Sequence, residues 1–324
     1  MTWMRVGGLL LLATCVGLGA VAQEGPPGVN AWAQYQLGIG ARALALGGAY
    51  TALAWGDAAA YWNPAALVYS PPMAGGMYTE PFAGGVGGEL GYRVQYLGIV
   101  GQLEGLGLGA GWFNVHVSGI PYTDGDSGFD YDASAFLAGV ATRWPLEEIG
   151  ELAVGATAKL YRESMLEGRA QGLGWDVGAL FSSGRLTLGY CSQDVGTTRY
   201  HWRGTGQEPL VVIPWIHRLG VAYRGEKPPI NISGEVVLGV DPFPELRAGL
   251  EWLPVEGLAL RVGARMRRPY AQSPYLPTVS AGAGLSWEAL VFDFAFVRTV
   301  LTPAEEEVGA FFSDTYVFSL GVRF

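Results

Sequence analysis

Cysteine is nearly absent from this chain. Its 324 residues hold two. One of them, Cys15, lies in an apolar leader, so a processed chain keeps only Cys191. That leaves no internal disulfide and no cysteine-based metal site. Histidine is almost as scarce: His116, His201 and His217 are scattered without ligand spacing, so neither a metal nor a cofactor is expected. Charged residues make up 15% of the chain and leave a net charge of −9. A nucleic-acid partner needs a basic footprint and is excluded on that ground. Beyond the first residues no apolar run approaches the roughly 20 residues of a membrane helix.

What remains is apolar, glycine-rich and aromatic. Half the residues are hydrophobic and fifty are glycine. The start reads as an export signal, with Arg5 as the positive region, Val6–Gly19 as the apolar core and Ala20-Val21-Ala22 as the cleavage site before Gln23. Leu12-Ala13-Thr14-Cys15 is only a partial lipobox, because Thr precedes the Cys and the apolar run continues past it. An exported, apolar chain without a spanning helix has the composition of a transmembrane β-barrel.

The patterning agrees. Fourteen candidate strands lie near 73–80, 91–101, 105–117, 130–144, 151–163, 170–182, 185–195, 210–224, 229–240, 244–252, 257–268, 277–287, 289–300 and 314–324. Most have the 9–11 or so residues that a tilted strand needs to cross a bilayer. Period-two alternation is sharpest late in the chain. Leu246, Ala248, Leu250 and Trp252 alternate with Glu245, Arg247, Gly249 and Glu251. Leu258, Leu260, Val262, Ala264 and Met266 alternate with Arg261, Gly263, Arg265 and Arg267.

Alternation also suits a half-buried sandwich, and three features choose the barrel. Connections alternate between long and short, as external loops and periplasmic turns do. The last strand places Tyr316, Phe318, Leu320, Val322 and Phe324 on one face and ends on Phe, a form that resembles the signal read by outer-membrane assembly machinery. Trp112, Trp144, Trp175, Trp202, Trp215, Trp252 and Trp287 fall near strand ends, where interfacial girdles form. The fold class predicted is all-β: an antiparallel transmembrane barrel of about 14 strands, residues 73–324, in the outer membrane and in contact with its lipid.

A barrel that wide must be filled with water, a ligand or protein. Residues 23–72, ahead of the strands, supply the candidate plug. Asp57 is expected to cap a short helix that Pro64 closes near Trp62. Strand glycines such as Gly105, Gly107, Gly109 and Gly111 suit close approach of another backbone.

The plug stretch resembles the N-terminal signature of FadL-like outer-membrane proteins, particularly the PorV/PorQ branch. The residues that carry it are Gly40-Ala41-Arg42-Ala43-Leu44, Gly47-Gly48-Ala49-Tyr50-Thr51-Ala52-Leu53-Ala54, Asp57-Ala58 and Tyr61-Trp62-Asn63-Pro64-Ala65. It covers about a tenth of the chain, and Trp55-Gly56-Asp57 stands where the family more often has a pair of acidic residues. The resemblance implies passive transport of fatty acids or hydrocarbons past a movable plug. Through the PorV/PorQ branch it implies instead the binding or shuttling of secreted proteins for type IX secretion. A barrel that only supports the envelope is the third reading.

No catalytic constellation is legible, so no enzyme is expected; His116 near Ser118 and the isolated His217 have no partner motif. The run Asp124–Asp132 invites a calcium reading but lacks the fifth ligand and the closing Glu of an EF-hand. Glu305-Glu306-Glu307 reads as a solvated loop. Arg247, Glu251, Arg261, Arg265, Arg267 and Asp293 share the face opposite the apolar stripe. Arg or Lys facing lipid at the midplane costs about 2–4 kcal/mol, so these side chains are expected to point inward. There they either brace wall and plug as ion pairs or receive a ligand's carboxylate.

Overall fold

The computed structural model describes residues 37–81, 91–121, 128–204, 208–239, 243–268, 275–299 and 314–324. The export leader, residues 124–127 of the acidic run and Glu305–Glu307 lie outside the described residues.

Among the described residues the strands are β1 (Met73–Thr79), β2 (Gly91–Leu103), β3 (Leu106–Pro121), β4 (Gly128–Leu146), β5 (Gly150–Met165), β6 (Gly168–Ser183), β7 (Leu186–Gln193) and β8 (Thr198–Arg203). They continue as β9 (Leu210–Ile213), β10 (Ile216–Arg224), β11 (Ile230–Leu238), β12 (Glu245–Val255), β13 (Leu258–Arg267), β14 (Leu276–Trp287), β15 (Leu290–Thr299) and β16 (Asp314–Arg323). Neighbours pair antiparallel from β1 to β7 and from β10 to β16, with β7 on β10. β16 returns to β1, matching Met73 with Arg323 and Thr79 with Val317. The result is a closed fourteen-stranded antiparallel barrel. The fourteen wall strands fall where alternation places them; β8, in the expected loop 196–209, is an addition.

Closure follows from the face each residue takes. On β16 the column Tyr316, Phe318, Leu320, Val322 is exposed while Val317 and Gly321 are buried. Across the ladder Phe292 faces Leu320, Phe294 faces Phe318 and Phe296 faces Tyr316, and the Phe294 and Phe318 rings lie 5.3 Å apart. Leu97, Leu188, Leu219, Ile232, Leu246, Val262 and Leu285 continue the outward band around the wall. Large apolar side chains in contact with solvent over a whole circumference would be untenable in water. In a bilayer they are the stabilising surface, and the return of β16 to β1 pairs the sheet's first and last strands as hydrocarbon requires. No helix among the described residues is long and apolar enough to cross a membrane, which does not bear on crossing by strands.

Five short turns lie at one end, β2–β3, β4–β5, β6–β7, β12–β13 and β14–β15, and the two-residue β5–β6 turn lies at the other. In the first of these, Glu104 (φ 48°) and Gly105 (φ 84°) take the left-handed conformations that suit a two-residue hairpin. Trp144, Trp252 and Trp287 ring this end with exposed outward rings. Trp202 does not join a girdle: it is 4% exposed and points inward. Its strand, β8, is short and hidden in a polar connection, so period-two phase could not be assigned from sequence.

The wall is uneven in height. β4 has 19 residues and β5 and β6 have 16 each, whereas β15 and β16 have 10. One side of the barrel therefore rises above the other at the end opposite the five short turns.

If the outward stripe faces lipid, Phe318→Arg lowers stability in vesicles by about 2–4 kcal/mol, and Tyr316→Arg, nearer the rim, costs visibly less. Chemical unfolding of the reconstituted barrel checks this, and equal costs at both positions would contradict it.

Candidate functional site: a plugged lumen with one charged and one apolar half

The plug is built from residues too small to form a core alone. α1 (Ala41–Ala45) is a single turn of small residues around Arg42. Gly47 (φ 66°) and Gly48 (φ 75°) then reverse the chain in a conformation open to glycine. A tight turn at Gly56–Ala58 leads into α2 (Ala59–Trp62). Asp57 thus sits inside the opening turn, which Trp55 precedes, rather than capping an Ala run as expected. α2 ends at Trp62 as the following proline requires. Asn63 then caps a further turn, Pro64–Tyr69, its side-chain oxygen accepting the Ala65 N–H at 3.1 Å. Sequence reading placed only the end of a helix at Pro64; the Asn-Pro pair, a cap followed by a proline at the first position, was the signal for the further turn.

Helices this short leave most of their backbone groups without internal partners, and the wall supplies them. Ser319 Oγ accepts the Ala41 N–H at 2.8 Å, and Ser280 Oγ accepts from Gly47 at 3.1 Å while donating to the Ala45 carbonyl at 3.0 Å. Thr157 donates to the Ala60 carbonyl, Gln193 to Tyr61 and Gln102 to both Leu67 and Ser70. Asn63 Nδ2 reaches back to the wall carbonyl of Ala179 at 3.2 Å. Wall glycines make these contacts possible. A side chain begun at Gly263 would meet the Gly47 nitrogen at 2.1 Å, and one at Gly178 would meet Asn63 Oδ1 at 2.1 Å. Of the four expected glycines, a side chain begun at Gly107 or Gly109 would meet plug residue Leu67, one at Gly111 would meet the wall's Tyr96, and one at Gly105, in the β2–β3 turn, would meet nothing.

One half of the lumen wall is charged. Arg42 reaches Glu251 with two parallel bonds, Nε to Oε1 and Nη2 to Oε2, each 2.9 Å. Arg261 donates to the same Glu251 Oε1 at 2.8 Å and to Asp293 at 2.6 Å, and Asn231 adds a bond to Glu251 Oε2. Two guanidinium and two carboxylate groups thus meet with balanced charge. A second group lies beside it. Arg247 bonds the Gly48 carbonyl at 3.1 Å, Glu235 at 3.2 Å and Glu245 at 2.6 Å. Glu235 Oε2 accepts the Tyr50 and Thr51 N–H groups of the plug. Arg218 lies 3.9 Å from Glu235 and stacks over buried Trp62, 4.9 Å from the ring centre. Arg265 is half-buried, 4.0 Å from Glu245. Of the predicted inward residues, Arg247, Glu251, Arg261 and Asp293 are therefore brought together and tied to plug residues Arg42 and Gly48. Glu235, Arg218 and Asn231 were missed, although alternation along β10 and β11 marks them as inward.

The other half is largely aromatic and branched, with one buried charge cluster. Val94, Phe113, Val115, Ala133, Tyr161, Tyr200 and Trp202 face inward and are buried, in one cluster with plug residues Ile39, Tyr61, Trp62 and Leu67. Tyr161 and Tyr200 stack at 6.3 Å. Here the ladder is interrupted. β6 pairs with β7 as far as Val177–Ser192 and with β8 again at Ala170–Trp202, so residues 171–176 face residues 193–201. The neighbouring strand breaks too, between β9 and β10 at Pro214, which has no N–H to give. Asp194 (φ 52°) and Thr197 (φ 70°) make the bend. It is held by Lys159, 2.7 Å from Asp176 and 3.0 Å from Asp194, with Tyr161 and Thr198 also donating to Asp194. This cluster was not foreseen; its members lie far apart in sequence, on β5, β6 and the bend.

Little space is left. A cavity of about 40 Å³ lies between plug and wall near Arg42, Asp57, Tyr96 and Asp293, and one of about 10 Å³ near Phe113, Lys159 and Tyr161. A cavity that takes up benzene is on the order of 150 Å³. These two hold water at most. Of the histidines, His116 lies 3.4 Å from Asp132, His217 bonds Tyr190 on the outer face, and His201 is exposed. None forms a nucleophile–base pair among the described residues.

Unequal costs are expected from breaking the Arg42–Glu251 link. Glu251→Gln leaves Arg42 without a carboxylate and Arg261 with Asp293 alone, and costs about 3–5 kcal/mol. Arg42→Met leaves Glu251 paired with Arg261 and costs less. Equilibrium unfolding of the two variants in detergent gives the order, and the reverse order would contradict the network.

No protein-family model and no curated protein matches the chain. Its fold is that of solved channels. It superposes on the CymD monoaromatic hydrocarbon channel with TM-score 0.60 at 14% identity, over 89% of this chain and 98% of that one. For the P. putida toluene transporter TodX the values are 0.58, 15%, 89% and 99%. For a Pseudomonas aeruginosa FadL homologue they are 0.57, 12%, 87% and 97%. At these identities the likeness is one of fold: this chain has the FadL-like barrel architecture.

Proposed function

We propose that this protein is an outer-membrane channel for hydrophobic small molecules of fatty-acid or hydrocarbon type, closed in the conformation described. One observation carries the reading. Inward residues Val94, Phe113, Val115, Tyr161, Tyr200 and Trp202 form an apolar surface continuous with the core of the plug, in which the charges of Lys159, Asp176 and Asp194 are paired with one another, whereas a channel for hydrophilic solutes has a polar, water-filled interior. An apolar solute entering from the taller side meets Val94, Val115 and Trp202, with the Glu163 carboxylate beside them bonded by the Tyr200 hydroxyl. Going further requires the plug to move, because the two cavities are too small. The Arg42–Glu251 and Arg247–Gly48 contacts then act as the latch, and the glycines of the wall as the seat to which the plug returns. The fold shared with channels named for monoaromatic hydrocarbons and toluene supports this reading. The arginines of the charged half serve to hold the plug rather than to receive a ligand's carboxylate, since Arg247 and Arg261 are buried and paired. The outward column ending in Phe324 is offered to the assembly machinery during insertion.

A second reading, a PorV/PorQ-like component that binds secreted proteins, has the filled lumen on its side. Uptake into vesicles separates the two. Vesicles carrying the protein should take up a fluorescent fatty acid or toluene several-fold faster than empty ones, with no gain for a sugar. Val115→Asp should reduce the gain by placing a charge on the apolar path. No gain for any apolar solute, together with co-purification of a secreted protein, would transfer the case to the second reading.

A further inference from the structure

The outer face of β5, β6 and β8 carries a group of arginines that the barrel itself does not use. Alternation puts Arg162, Arg169, Arg199 and Arg203 outward, since Tyr161, Glu163, Ala170, Tyr200 and Trp202 between them are buried, and all four are exposed. The register brings them together. Arg169 is directly opposite Arg203, Ser164 is opposite Arg169 on the other side, and Arg162 is opposite Gln171 one row below. Like charges directly opposite on neighbouring strands destabilise a sheet. None of the four has a carboxylate partner among the described residues. Three other exposed arginines do: Arg143 with Glu151, Arg185 with Glu226 and Arg298 with Asp314. Arg162 instead lies over the Phe136 ring at 5.6 Å. The nearest outward acid on these rows, Asp132, is engaged by His116 and Asn114.

Height gives the group its meaning. From Gly150 to Arg162 the wall climbs roughly 30 Å, taking ~3.3 Å per residue and a tilt of about 40°. An outward apolar band is about 25 Å tall. The arginines therefore begin where hydrocarbon ends, on the taller side. Directly below them the face turns apolar at Leu160, Leu173 and Trp175, the last two 66% and 57% exposed. Paired guanidinium groups above an oily wall match one kind of occupant: a phosphate-bearing headgroup with its acyl chains lying down the barrel. Arginine is suited to this because its planar fork binds phosphate with two bonds at once.

We infer that this face is a binding site for a phosphorylated lipid of the outer leaflet, with Arg162, Arg169 and Arg203 on the phosphate and Leu173 and Trp175 on the chains. The inference depends on the membrane placement proposed above but not on what the channel carries.

The test uses the full-length protein in neutral detergent, with native mass spectrometry counting bound lipid. The probes are lipid A, dephosphorylated lipid A and phosphatidylcholine. Lipid A is expected to be retained in preference to both others, and the variant R162Q/R169Q/R203Q should bind it about tenfold more weakly. R298Q, which removes an ion-paired arginine elsewhere on the outer wall, should bind as the wild type does. Heat-modified gel mobility and insertion into phosphatidylcholine vesicles report separately whether each variant is a membrane-embedded barrel. Failure there overturns the membrane placement itself, and with it this site. Three results on inserted barrels would overturn the site alone: equal retention of dephosphorylated lipid, equal loss in R298Q, or displacement of lipid A by inorganic pyrophosphate at equal concentration. The last would mark an anion site in which the chains play no part.

Discussion

Everything in this barrel depends on pairing backbone groups where no water can reach them. A strand in hydrocarbon must bond on both edges, so the sheet must return upon itself, and β16 on β1 is where it does so. Closure at fourteen strands then creates a second demand, because the ring is too wide for its own side chains to fill. The chain answers with its segment from Gly38 to Tyr69, made of turns so short that they cannot satisfy their own backbone either. Plug and wall each lack what the other has. Ser280, Ser319, Thr157 and Gln193 give the plug its missing partners, and the plug gives the wall an interior.

The division of the lumen follows from that exchange. Charges cannot face lipid cheaply, so Arg247, Glu251, Arg261 and Asp293 turn inward, and once inside they need opposite charge at close range. Arg42 enters between Glu251 and the aromatic rings of Tyr50 and Trp55, so the plug is part of the ion network rather than merely its neighbour. The other half of the wall carries aromatic and branched side chains and contains the interrupted ladder around Asp194. The side that binds the plug by charge is thus distinct from the aromatic side, whose buried charges at Lys159, Asp176 and Asp194 pair with one another.

Much of this could be read in the sequence, for identifiable reasons. A side-chain period of two is a strong signal when one face is lipid and the other is lumen, so Leu246–Trp252 and Tyr316–Phe324 placed their strands and their faces together. The inward arginines followed from the cost of the alternative. The seat of the plug was half legible: Gly107 and Gly109 do touch it, but the closer contacts at Gly178 and Gly263 depend on register, which no single strand encodes. Trp202 and β8 were lost because a six-residue strand in a polar connection carries too few alternations to set its phase. Lys159, Asp176 and Asp194 each occupy an unremarkable inward position, and only the bend between β7 and β8 brings them within bonding distance. The arginine face on β5, β6 and β8 is of the same kind, since pairing alone makes neighbours of Arg169 and Arg203.

The account stands or falls on whether the plug must move for an apolar molecule to pass. A tether tests this with little disturbance: Ala52 Cβ lies 3.4 Å from where a side chain at Gly220 would begin, close to the 3.5–4.5 Å or so that a disulfide spans between Cβ atoms. With Cys191 replaced by Ala, the pair Ala52→Cys and Gly220→Cys would join plug to wall reversibly. Oxidised vesicles should take up a fluorescent fatty acid no faster than empty ones, and reductant should restore the rate. Equal uptake before and after reduction would mean that the molecule travels by a path the plug does not close.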